Sequence, residues 1–230
     1  MNRTGLLAVL LLTAALFLIM MLLPDEQAAE PIHTPWSVTL SERGNSQLLG
    51  ITLDESTLLQ AQQQWRASPK ITLFMPKESP AKVEAYFERV TLGGIRASIV
   101  AEITVPETEL TTLIDQGARI STQGDGSRKI TLDGTGVGIV EQSIITSLTY
   151  LPKANLPSEV IKQRFGTPAE TFRIEEDKIE HWVYPEIGLD LVFSEETKEV
   201  LQYVPPSRFD RLLAPLQRRT NAAQPLQPPA

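Results

Sequence analysis

The chain has 230 residues, 42% of them hydrophobic and 21% charged, enough to bury a core in one or two small domains. Its 21 Lys and Arg stand against 28 Asp and Glu, a net charge of -7 that disfavours sequence-independent nucleic-acid binding. Cys is absent, which excludes disulfides, thiol nucleophiles and thiolate metal sites.

From Gly5 to Leu23 no residue is charged, and a helix of that length spans about 28 Å, close to the hydrocarbon thickness of a bilayer. Arg3 precedes the segment, while Asp25, Glu26 and Glu30 follow it. The positive-inside tendency therefore predicts a transmembrane signal-anchor over 1–23, with the lipid bilayer as a partner through Gly5–Leu23. On that reading the protein makes a single pass through the bacterial inner membrane, N-terminus cytoplasmic and C-terminal domain periplasmic. A cleaved signal peptide competes with it, but Ala28-Ala29 after Glu26 and Gln27 makes a poor cleavage site. Residues 24–35, with three prolines and no periodicity, read as a tether.

Residues 36–153 predict a first α+β lobe. Trp36–Leu40 alternates as a strand does, and Asp54 reads as the N-cap of a helix over Glu55–Trp65. Ile71–Met75 is a short apolar strand. Ser79-Pro80 reads as a cap opening a helix in which Val83, Tyr86, Phe87 and Val90 share one face, ended by Gly93-Gly94. Ile95–Val105 alternates cleanly as a strand, and Pro106 opens a helix with Leu110, Leu113 and Ile114 inward. Residues 118–122 and 128–132 form a hairpin turned at Asp125-Gly126. Gly134-Thr-Gly-Val-Gly138 lacks the Lys-Ser/Thr ending of a phosphate loop and reads as a flexible connection before a strand over Ser143–Leu151.

Residues 154–213 predict a second lobe: a helix over Pro157–Phe165, then strands at Thr171–Glu175, Glu180–Pro185, Leu189–Phe193 and Val200–Val204, then a short helix after Pro205. Residues 214–230, rich in Pro, Gln and Ala, read as a disordered tail. The fold class expected is thus α+β: a transmembrane helix followed by two small lobes, each with helices on an antiparallel sheet. Val105-Pro106 and Val204-Pro205, each leading into a helix, suggest that the lobes are a degenerate internal repeat.

Within the second lobe, Ser158–Pro168, His181-Trp-Val-Tyr184, Leu189–Phe193 and Glu199–Tyr203 carry a helix ending in aliphatic-Gly-x-Pro style, a W-x-Y strand and a strand ending in Phe before an acidic hairpin. Residues 155–204 thereby resemble the SmpA/OmlA (BamE-like) envelope protein family. The resemblance implies a small helix-on-sheet domain of the Gram-negative envelope that acts by protein contact. This chain departs from the family in having no lipobox Cys and in carrying a large N-terminal lobe, so no role in outer-membrane barrel assembly is carried over.

The catalytic inventory is thin. His33 falls in the tether and His181 in an aromatic strand, and no H-E-x-x-H or G-x-S-x-G motif occurs. Ser79-Pro-Ala-Lys82 has Ser-Lys spacing but sits where a helix cap belongs. Glu175-Glu176-Asp177 and Glu195-Glu196 fall in turns without the D-x-D-x-D-G form of a calcium loop. Neither a catalytic residue, a metal site nor a cofactor is expected. Trp182 and Tyr184 share a strand face that Tyr203 can join; they read either as core or as contacts for an envelope protein partner. The functional expectation is a non-catalytic, membrane-anchored protein-binding or scaffolding module, and the alternative is a small-ligand or lipid carrier.

Overall fold

A computed structural model describes Thr13 and residues 33–174, 178–194 and 198–223. The chain falls into two units, Met1–Ile32 and His33–Ala230, and every element below belongs to the second. In order these are β1 (Thr39–Leu40), β2 (Ser46–Leu48), β3 (Ile51–Thr52), α1 (Leu58–Trp65), β4 (Lys70–Met75), β5 (Lys82–Leu92) and β6 (Ile95–Thr104). There follow α2 (Glu107–Asp115), β7 (Arg119–Thr122), β8 (Arg128–Thr131), α3 (Gly134–Glu141), β9 (Ile144–Pro152) and α4 (Ser158–Phe165). The chain continues through β10 (Glu170–Ile174), β11 (Ile179–Tyr184), β12 (Leu189–Ser194), β13 (Val200–Tyr203) and α5 (Asp210–Ala223).

The first three strands make a small sheet, and the other ten form a single antiparallel sheet in the order β10-β11-β12-β13-β9-β6-β5-β4-β8-β7. This corrects the expectation of two separate lobes. Residues 201–203 of β13 pair with 148–150 of β9, so one sheet runs through both. The internal repeat fails with it. The C-terminal strands form a consecutive meander, whereas the N-terminal ones are ordered β9-β6-β5-β4-β8-β7.

The two faces of the sheet are treated differently. One carries Leu73, Val83, Ala85, Phe87, Ile99, Ala101, Leu148, Tyr150, Leu191 and Leu201, all buried beneath α1–α4 and the small sheet in one continuous core. The alternation of β6 produces this directly, since Ala97, Ile99, Ala101 and Ile103 point inward. Among the described residues the opposite face is covered only at its β10–β13 end, where Phe172, Val183 and Val204 meet Phe209 and Leu216 of the C-terminal segment in a second small core.

Several local expectations change. Residues 79–90 hold no helix: β5 is an extended strand, and Gly93-Gly94 (φ 54 and 79) turns it into β6 as a hairpin. Ser79 therefore caps nothing. Its neighbours Val83, Ala85 and Phe87 alternate inward, then a bulge between Phe87 and Val90 shifts the register so that Val90 and Leu92 take over. The glycine run after Asp133 is helical. Asp133 caps α3 by accepting a hydrogen bond from the Gly136 amide at 2.7 Å. A Cβ on Gly136 would lie 3.1 Å from Leu113 of α2, so glycine there lets the two helices approach. The cap of α1 is Thr57, in a reciprocal box with Gln60, while Asp54 adopts a left-handed φ of 61. Helix α5 continues past residue 214 to Ala223, because Leu216 is buried against the sheet.

Among the described residues no helix is long and apolar enough to cross a membrane. This corrects the transmembrane signal-anchor and the single-pass inner-membrane placement read from the sequence. The segment behind that expectation, Gly5–Leu23, lies outside the described residues except for Thr13. So do the acidic clusters Glu175-Glu176-Asp177 and Glu195-Glu196, and residues 224–230.

Candidate functional site

The three aromatic residues singled out in the sequence come together on the core face. Trp182 is 6% exposed, Tyr184 4% and Tyr203 0%. Trp182 stacks on Phe193 with centroids 5.9 Å apart, under the Lys162 ammonium at 5.3 Å. The Tyr184 hydroxyl donates to the Gly166 carbonyl at 3.1 Å, and Tyr203 donates to Pro35 at 2.7 Å. Burial pushes the Tyr184 hydroxyl up to about 12, and the fully enclosed Tyr203 well above the usual tyrosine range. These groups are structural, and none offers a surface to a partner.

The chemistry-bearing pair that sequence spacing did not suggest is His181 and Asp190. They lie diagonally on β11 and β12, 7% and 2% exposed, with His181 Nδ1 at 2.9 Å from Asp190 Oδ2. His181 sits opposite Phe172 and two residues from Val183, which places it under α5. Its Nε2 is buried and has no hydrogen-bond partner among the described residues. A general base has to reach a substrate proton, and this nitrogen is buried. Among the described residues, no group of three or more His, Asp or Glu could hold a metal ion.

An accessible groove lies on the second face of the sheet, on the side α5 leaves open. Register places Lys70, Thr72 and Phe74 of β4, Lys82, Glu84 and Tyr86 of β5, Val100 of β6 and Lys129 of β8 on that face. All of them but Lys82 line a groove of about 640 Å³, with Ser68, Pro69 and Glu88 at its Tyr86 end. Thr72, Glu84 and Val100 form its floor. Tyr86, 38% exposed, and Phe74 rise at opposite ends, with the Lys129 ammonium 5.4 Å from the Phe74 ring centre. The Glu84 carboxyl is held above the ordinary carboxylate range because burial in the floor, aided by the charge of Glu102, outweighs the pull of Lys82 and Lys129.

No family model, curated protein or solved structure matches the chain. The site must therefore be read from its own geometry.

The helical reading of 79–90 concealed this groove, because it put Tyr86 and Phe87 on one buried face. In the strand they point to opposite sides, Phe87 to the core and Tyr86 to the groove. The signal that identifies the strand is Gly93-Gly94 between two alternating apolar runs.

Proposed function

We propose that this protein is a non-catalytic protein-binding module that takes an extended segment of its partner on the uncovered sheet face over β4–β6. The observation carrying the reading is the groove itself. It is a concave surface with one aromatic ring at each end and a partly buried carboxylate between them, on a rigid sheet whose opposite face is the core. Exposed aromatic residues beside charged ones are what contact centres use, and a perturbed carboxyl in a cleft marks functional ground.

Two further features support a binding role over catalysis or carriage. The His181–Asp190 pair is enclosed beneath α5. Side chains such as Leu73, Ile99, Ile130 and Ile145, each fully buried, fill the interior under the helices, and the cleft of about 740 Å³ beside α2 and α3, lined by Thr104, Pro106, Ile139 and Ile144, opens at its edge, where a carrier needs an enclosed hollow. The order of α4 and the β10–β13 meander is the order on which the SmpA/OmlA resemblance rests, and that resemblance favours action by protein contact.

Photo-cross-linking from position 86 tests the reading, with position 159 on α4 as the control. A discrete protein adduct from position 86 that is absent from position 159 is the expected result. No adduct, or the same adducts from both positions, overturns it.

A further inference from the structure

The open face of the sheet is basic although the chain is acidic. Lys70, Lys82, Arg96, Arg119 and Lys129 all project from the side that carries Tyr86, as the strand registers require. Against these five stand Glu84 and Glu102. Glu102 is already engaged, accepting two hydrogen bonds from Arg211 of α5 at 2.5 Å each. At the β5 bulge Glu88 lies 4.0 Å from Arg89, so that pair adds little net charge. Of the two carboxylates that line the groove, Glu88 lies at its Tyr86 end beside Arg89, and Glu84 sits in the floor between Lys70 and Lys129, below the level at which a ligand would lie.

We infer that the groove takes an acidic extended segment, its carboxylates meeting Lys70 and Lys129 and an apolar side chain resting between Tyr86 and Phe74. The inference rests on the binding-module reading and names its partner. In an extended segment alternate side chains recur about 7 Å apart on one face. Carboxylates can then sit at the cationic ends of the groove while an intervening apolar residue lies over Thr72 and Val100. A basic segment would meet Lys70 and Lys129 in the groove and the like charges of Lys82, Arg96 and Arg119 on the surrounding face. A nucleic-acid strand brings a charge at every nucleotide and runs beyond the basic patch onto the acidic remainder of the molecule.

The test is fluorescence anisotropy on the full chain with three labelled probes: a Glu-Val repeat peptide, its Lys-Val counterpart and an oligothymidylate. The expected result is binding of the Glu-Val peptide that weakens with added salt. It should fall about tenfold in the double variant Lys70→Glu, Lys129→Glu and rise about threefold in Glu84→Gln, which removes the repelling charge. Circular dichroism confirms that each variant is folded. If the Lys-Val peptide binds as well or better and Tyr86→Ala abolishes it, the acidic preference is overturned and the groove stands as a binding site. If only the oligothymidylate binds, and Tyr86→Ala abolishes that, both readings give way to a nucleic-acid platform. If no probe binds, the inference falls, while the cross-link from position 86 still decides the module reading separately.

Discussion

Arg211 of α5 donates two hydrogen bonds to the carboxylate of Glu102 on β6, each 2.5 Å long. The contact joins residues 109 apart and marks the line where the helix-covered part of the second sheet face gives way to the open part. Just before α5, Arg208 donates to Asp54, so the C-terminal segment is tied twice to the N-terminal half. Both arginines are substantially exposed, at 39% and 45% of the side chain. The pairs therefore orient the helix more than they stabilise the fold. Arg211→Ala should cost about 1 kcal/mol or less. Amide exchange across residues 210–220 should quicken while β6 and β9 stay protected, which hydrogen-exchange mass spectrometry can read.

Trp182→Ala should cost about 3–5 kcal/mol, as removal of a fully packed aromatic residue does. The stacked Phe193 loses its neighbour, the Lys162 ammonium loses its ring, and Glu180 loses the indole donor at 3.1 Å. Thermal unfolding by circular dichroism checks this. An unchanged midpoint would mean that the tryptophan is not core.

Gly188→Ala should be among the most damaging small substitutions, exceeding about 4 kcal/mol. A Cβ there would lie 1.8 Å from the Val204 carbonyl oxygen, and the residue has a φ of +69. Neither backbone can retreat easily, because the Val204 amide donates to the Gly188 carbonyl at 2.9 Å. Gly94→Ala provides the comparison. It shares a positive φ of +79 but has nothing within 4 Å, so only the backbone cost of about 1–2 kcal/mol applies. Urea midpoints of the two variants separate the steric from the conformational contribution.

Alkaline conditions should unfold the protein through its buried tyrosines. Burial pushes Tyr150 and Tyr184 up to about 12, and Tyr203 well above the ordinary value of 10.0. The folded state thus holds these protons longer than the unfolded chain does. Stability is intact below about pH 10 and is lost progressively as the pH rises from there towards 12. Denaturant midpoints on either side of pH 10, with tyrosinate absorbance followed in parallel, will show the loss. Retained stability at pH 12 would contradict it.

Much of the sheet was legible in the sequence because one face of most strands is buried. The alternation of 95–105, the Asp125-Gly126 hairpin and the meander of 170–203 were all read as strands and are strands. The reading failed where a second effect imitated another period. In β5 the bulge switches the inward set from Val83, Ala85 and Phe87 to Val90 and Leu92, and the resulting spacing matches that of an amphipathic helix. In α3 three glycines masked a helix that exists because Asp133 caps it and α2 packs closely on it. Burial of Leu216, a tertiary effect, extended α5 into sequence whose composition looked unstructured. The groove was illegible for the same reason as β5. The continuity of the sheet was hidden because pairing between β9 and β13 joins residues about fifty apart, and no local pattern announces it.

The position of β13 has a consequence for how the molecule is made. Until residues 200–203 have left the ribosome, β9 presents a bare edge, although every other strand of its half has been synthesised. The finished N-terminal portion must wait with that edge open for roughly fifty residues of further translation. Nascent chains halted before Val200 should accordingly be the ones that chaperones retain, and release should coincide with the arrival of Tyr203 between β12 and β9.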